Sequence, residues 1–140
     1  MGATGRKGKT TKARSMQPRL KDYVSWFEIP AHNFQRAVTF YSHIYDIKME
    51  TAEMSGYAMA FFPAVNGVGG AVVVGDGCIP SDTGTLVYLN AGTRLDEILA
   101  RIEPAGGRVV MGRTLISDDA GYFALFIDTE GNKLALHSKK

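Results

Sequence analysis

Gly121 to Ser138 reads GYFALFIDTEGNKLALHS, and its pattern decides the fold. Tyr122 to Ile127 is an extended run of aromatic and aliphatic side chains. Asp128-Thr129-Glu130-Gly131-Asn132 follows, rich in residues that let a chain reverse. Leu134 to His137 is extended again, so the stretch predicts a β-hairpin. A weaker copy stands upstream. Gly56-Tyr57-Ala58-Met59-Ala60-Phe61-Phe62-Pro63 runs beside Gly121-Tyr122-Phe123-Ala124-Leu125-Phe126-Ile127-Asp128, with an aromatic at the sixth place of each. Each copy passes through a glycine-bearing turn into a short strand, Ala71 to Val74 in one and Leu134 to His137 in the other.

The order of elements repeats as well. Tyr23 to Ile29, YVSWFEI, alternates as a strand and stops at Pro30. Asn33 is a good N-cap for a helix over Phe34 to Tyr45, where Phe34, Ala37, Val38 and Tyr41 recur at helical spacing. Ile47 to Thr51 predicts a short strand, Ser55-Gly56 a turn, Tyr57 to Phe62 a strand, and Asn66 to Gly70 a glycine-rich loop. After a linker from Gly75 to Gly84, Thr85 to Asn90 is a strand and Leu95 to Ile102 a helix ended by Pro104 and Gly106-Gly107. Arg108 to Met111 is a short strand, Leu115 to Ala120 a loop, and the hairpin closes the series. Two βαβββ modules are expected, about 22–75 and 84–138. They form an α+β fold whose sheet curls, barrel-like, around a cavity. The repeat is too long for a solenoid unit.

Charge separates the start of the chain from the rest. Residues 1–21 hold Arg6, Lys7, Lys9, Lys12, Arg14, Arg19 and Lys21 with no acid, whereas the remainder carries 9 basic and 14 acidic side chains. A solvated basic tail is expected over 1–21, with Met16 an alternative start. It has no aromatic or apolar face to read nucleic acid or hold a membrane. No apolar run approaches the roughly 20 residues that span a bilayer. Cys78 is the single cysteine, which suits a reducing, cytoplasmic setting.

Three motifs carry a resemblance: FEIPxxNxxRAVxFY (Phe27 to Tyr41), AGGRVV (Ala105 to Val110) and IDTEGNKLAL (Ile127 to Leu136). Together with the paired modules they resemble the vicinal oxygen chelate superfamily of glyoxalase I, bleomycin- and fosfomycin-resistance proteins and extradiol dioxygenases. Within it they come closest to small lactoylglutathione-lyase-related proteins. The resemblance covers Asp22 to Ser138. It implies a homodimer and, in catalytic members, one divalent metal held by His, Glu or Gln in the concavity, polarising substrate oxygens. Carried onto this chain, the ligand positions fall at Trp26, Val72, Thr85 and Ala135, none of which suits a metal.

The resemblance therefore implies a metal-free binder without a cofactor. It would take an apolar or aromatic small molecule against Trp26, Phe61, Val72, Thr85 and Ala135. Glu28 and His137 lie two residues from Trp26 and Ala135, on the same faces if the strands are regular. They are the candidate catalytic pair for the alternative, a metal-dependent lyase or isomerase with a shifted site. A ligand-sensing interaction module is the third reading. Tyr88 is expected to face the helices, His32 and His43 to be structural, and Arg113 to form a surface ion pair. The Asn66 to Gly70 loop lacks the following helix of a phosphate-binding loop.

Overall fold

The computed structural model describes residues 18–140. The basic residues Arg6 to Arg14 and the alternative start at Met16 lie outside the described residues. The chain runs β1 (Trp26–Pro30), α1 (Phe34–Tyr45), β2 (Glu50–Met54), β3 (Tyr57–Phe61) and β4 (Gly69–Val74). It continues through β5 (Tyr88–Asn90), α2 (Leu95–Ile102), β6 (Arg108–Ser117), β7 (Gly121–Ile127) and β8 (Lys133–Ser138). Both halves are βαβββ modules, as the pattern predicts. They build two four-stranded sheets, ordered β1-β4-β3-β2 and β5-β8-β7-β6, and neither closes into a barrel. In each sheet the first strand pairs parallel with the last and the others pair antiparallel.

One core serves both modules. Ile29, Val72 and Ala60 form a cross-strand row on one sheet; Leu89, Leu136 and Ala124 form the matching row on the other. All six are buried in a cluster with Phe40, Tyr41 and Ile44 of α1 and Ile98 and Ile102 of α2. The helices thus lie against one face of each sheet and join the two. Phe40 meets Tyr41 edge-on at 4.9 Å and Phe126 at 6.2 Å, and Tyr41 meets Phe62 at 5.6 Å. Each fully buried large side chain contributes about 2 kcal/mol.

The matched rows correct the pairing of the two copies. Gly56-Tyr57 and Gly121-Tyr122 look alike, but Ala60 corresponds to Ala124, so Phe62, not Phe61, is the partner of Phe126. The turns differ in length, Ser55-Gly56 against Asp118-Asp119-Ala120, which displaces the resemblance by one residue. Other boundaries move for pairing reasons. β1 begins at Trp26 because β4, its only strand partner among the described residues, begins opposite it at Gly69. Gly69 and Gly70 belong to β4, not to a loop. A Cβ on Gly70 would lie 2.5 Å from ring atoms of Phe27, and one on Gly69 would lie 3.3 Å from Trp26, so the glycines admit aromatic rings from β1. β2 starts at Glu50, later than expected. β6 extends through the predicted loop to Ser117, with irregular pairing to β7 along its length.

A polar turn ties the second module to the first. Asp128, Glu130 and Asn132 are all buried. Tyr41 donates its hydroxyl to Asp128 at 2.7 Å, and Asn132 Nδ2 donates to the Pro30 carbonyl at 2.7 Å. Glu130 accepts from the backbone N–H groups of His32 (2.9 Å) and Asn33 (2.8 Å) and from Arg36 Nε (2.7 Å). α1 has no acid in its own first turn; Glu130 brings a negative charge to its positive end from the other module. Burial alone would raise the Glu130 pKa, but Arg36, Thr129 and the two backbone donors outweigh it and hold the carboxyl at about 2.

Two outcomes follow. Glu130 is bound as the carboxylate in the fold, so its stabilisation is complete above the ordinary Glu range near pH 4.5 and is lost as pH falls toward about 2. Glu130→Gln should lower stability by about 2 to 3 kcal/mol at neutral pH and flatten the acid slope of urea-unfolding free energy; an unchanged slope would show that the carboxylate is not held this way. Gly70→Ala should cost about 1 to 3 kcal/mol through its clash with Phe27. Gly112→Ala, where a Cβ meets nothing within 4 Å, should be close to neutral in the same melts.

Candidate functional site

Each sheet has one face on the helices and one face free of them. On the first sheet the free face carries the cross-strand row Glu28, Ala71 and Phe61. Met59, Ala71 and Val73 form a second, smaller cluster there, with Tyr57, Phe61 and Cys78 packed against it. Trp26 is 44% exposed. Its ring lies 6.1 Å from that of Phe61, and its indole N–H points to Glu28 Oε2 at 3.3 Å. Trp26, Glu28 and Phe61 therefore share one surface, an aromatic pair beside a solvated carboxylate.

On the second sheet the free face carries two rows, Tyr88, Ala135 and Leu125, then Asn90, His137 and Phe123. Ala135 is fully buried beneath its larger neighbours. His137 Nε2 lies 2.6 Å from the Ala120 carbonyl. A carbonyl only accepts, so Nε2 carries the hydrogen and Nδ1 is left as the free ring atom. Tyr88 is 50% exposed here, with Phe123 at 6.3 Å. The expectation that Tyr88 faces the helices is wrong; Leu89 takes the core position.

Val72 also departs from its expected place. It pairs with Ile29 and Ala60, one step along from the Glu28–Ala71–Phe61 row, and is fully buried against the helices. A one-residue step changes face, so Ala71, not Val72, lines the free surface. Thr85 is exposed and precedes β5, on neither sheet. Glu28 and His137 stand on different sheets, one against Trp26 and the other on the Ala120 carbonyl. Among the described residues, no three His, Cys, Asp or Glu side chains gather as a metal would require. One chain's described residues therefore do not fit a tightly held divalent ion, which needs three or four ligands. His32 and His43 are exposed. Arg113 meets Asp96 at 3.3 Å and sits 3.9 Å over the Tyr122 ring, a surface pairing.

A separate hollow opens where the modules meet. It is a cleft of about 800 Å³ bordered by Lys21 to Val24, the end of α1, the β3–β4 loop and Thr85 to Asn90. Phe27, Tyr45, Phe62 and Val87 give it an apolar lining. Tyr45 donates its hydroxyl to the Asn90 carbonyl at 2.9 Å, and burial raises the pKa of that phenol. Thr85 is the one expected ligand residue on its border. Nothing in the linear pattern announced this cleft, because its walls come from four separate segments.

No protein-family model matches the sequence, and no curated protein does. Solved structures match the fold. A glyoxalase/bleomycin resistance protein from Albidiferax ferrireducens is 15% identical, with a TM-score of 0.61 over 84% of this chain and 99% of that one. The fosfomycin resistance protein FosX from Listeria monocytogenes is 17% identical, with a TM-score of 0.62 over 85% and 91%. The trypanothione-dependent glyoxalase I of Leishmania major is 13% identical, with a TM-score of 0.59 over 84% and 87%. The chain therefore has the glyoxalase-type fold, with two tandem modules.

The placement of Val72 is checked by its cost. Val72→Ala should destabilise by about 2 kcal/mol, as a core truncation does, whereas Glu28→Gln on the exposed face should stay within about 0.5 kcal/mol. Equal effects in urea titrations would contradict the assignment of faces.

Proposed function

We propose that this chain is a glyoxalase-like binder of small apolar or aromatic molecules that works as a homodimer without the metal site of its catalytic counterparts. The observation that carries the reading is the part-exposed Trp26 ring beside Phe61 on a helix-free sheet face. An aromatic pair on a rigid strand surface, floored by Met59, Ala71 and Val73, supplies stacking area at little entropic cost. Glu28 gives that surface one hydrogen-bond acceptor for orienting a ligand.

The dimer is supported by what both free faces leave uncovered. Trp26 and Tyr88 are each about half exposed, and β6 shows Val110, Met111, Leu115 and Ile116 to solvent at 41 to 53%. A second copy would cover these faces and turn an open surface into a concavity. Ala135, already covered, would contribute shape only. His137, with Nδ1 free, would be the polar group that the second sheet brings. With one part-buried cysteine and no disulfide, the reading places the protein in the cytoplasm. Among the described residues, no helix is long and apolar enough to cross a membrane. No observation favours the metal-dependent lyase or isomerase. An interaction role for the basic tail rests largely on residues outside those described.

Trp26 is the only tryptophan, so its emission reports on the site. Titration with a panel of neutral aromatics such as 1-naphthol should quench or shift that emission saturably, and Phe61→Ala should weaken the response about tenfold. Unchanged Trp26 emission with every ligand of the panel that binds by calorimetry would overturn the site. Sedimentation equilibrium should give a dimer at micromolar concentration; a monomer throughout would remove the homodimer.

A further inference from the structure

The two modules are alike, yet the clamp between them is one-sided. Matching strand rows pair Pro30 with Asn90 and Asn132 with Val68. In the clamp, Asn132 Nδ2 donates to the Pro30 carbonyl. At the corresponding place on the other side, Val68 has no polar group to offer. The Asn90 carbonyl is served instead by Tyr45, which reaches across from α1. Asp128 and Glu130 correspond to Ala64 and Asn66, which make none of the clamp's contacts. The N-cap of α2, Arg94, accordingly makes no side-chain cap bond, where α1 has both Asn33 and Glu130. The cleft of about 800 Å³ lies on this unclamped side, between the β3–β4 loop and β5.

We infer that this cleft is a second binding site, distinct from the Trp26 face, for a neutral, largely apolar small molecule. Its volume is in the range of small-molecule pockets, which run to about 1,000 Å³. Its floor is aromatic and connected: Phe27 and Phe62 lie 5.4 Å apart and Tyr45 and Phe62 6.5 Å. The lining carries one cation and one anion, Lys21 and Asp22, adjacent on the same segment, so it offers no net charge to a charged ligand. Polar side chains are few, and at the border the Thr85 hydroxyl can hydrogen-bond a hydroxyl or carbonyl group.

A second observation points to an occupant. Residues 18–25 lie in no strand or helix, and Leu20, Tyr23 and Val24 along them are 62%, 86% and 56% exposed. Tyr23 and Val24 border the cleft itself. Apolar side chains left this open at the mouth of an apolar cleft gain by folding down onto a bound molecule. The segment then acts as a cover over a ligand seated on Phe27 and Phe62.

The probe is Nile red, a neutral dye whose emission rises and shifts to the blue in apolar surroundings. The full-length protein should bind it saturably. The Val68, Val87 and Leu89 methyl resonances should shift in NMR spectra, and those of Met59 and Val73 should not. Thr85→Trp, which places a large ring at the exposed border, should weaken dye binding at least tenfold with an unchanged melting temperature, and Val68→Trp should do the same. Absence of saturable binding, or shifts confined to Met59 and Val73, would overturn the cleft as a site. The second of those results would still leave the Trp26 face as a binder, so the two readings fail separately.

Discussion

The structure depends on one buried polar turn. Asp128, Glu130 and Asn132 sit within five residues of β-hairpin, and their partners lie roughly a hundred residues earlier in the chain. Buried polar groups of this kind are costly unless satisfied, and here the turn meets Tyr41, the N–H groups of His32 and Asn33, Arg36 and the Pro30 carbonyl. The apolar core packs the sheets and helices together, and the clamp adds directional bonds to that packing. These bonds join the β7–β8 turn to the start of α1. Tyr41 links the two layers: its ring is part of the core and its hydroxyl part of the clamp.

Much of this fold was legible because it repeats. The helix over Phe34 to Tyr45, its Asn33 cap, the second helix and the closing hairpin all follow from periodicity and turn residues, and the structure has each of them. What misled was local likeness. Gly-Tyr occurs at both strand starts, yet the two turns differ by a residue, so the visual match slips one place. In a strand one place is a change of face. A slip of the same size sends Val72 to the core when Ala71 is the surface residue, and puts Tyr88 outward when Leu89 is the inward one. Element order survives such errors; side-chain direction does not.

The candidate site was legible only where one strand carries it. Trp26 and Glu28 are two apart on β1 and duly share a face, and Phe61 joins them through cross-strand pairing with Ala71. Glu28 and His137 were linked through a shared expectation about a cavity, but they occupy separate sheets. The cleft had no linear signature. Its border draws on the segment before β1, the end of α1, a loop and β5, and no single piece carries a pattern that marks a cleft.

Duplication supplies a way to separate structure from function in this molecule. Where the modules match, as in the Ile29–Val72–Ala60 and Leu89–Leu136–Ala124 rows, the residues are simply apolar and packed. Where they differ, something specific has been built or left out. Glu28 corresponds to Tyr88 and Val73 to His137, so each free face has its own polar group at a place where the other has a hydrophobic or aromatic one. Asn132 corresponds to Val68, so one side of the junction is bolted and the other stands open with an aromatic floor. The open side keeps its carbonyl satisfied through Tyr45, which removes the main penalty for leaving it unclamped. A gap whose exposed backbone carbonyl is already met, and whose floor is aromatic, suits an apolar guest.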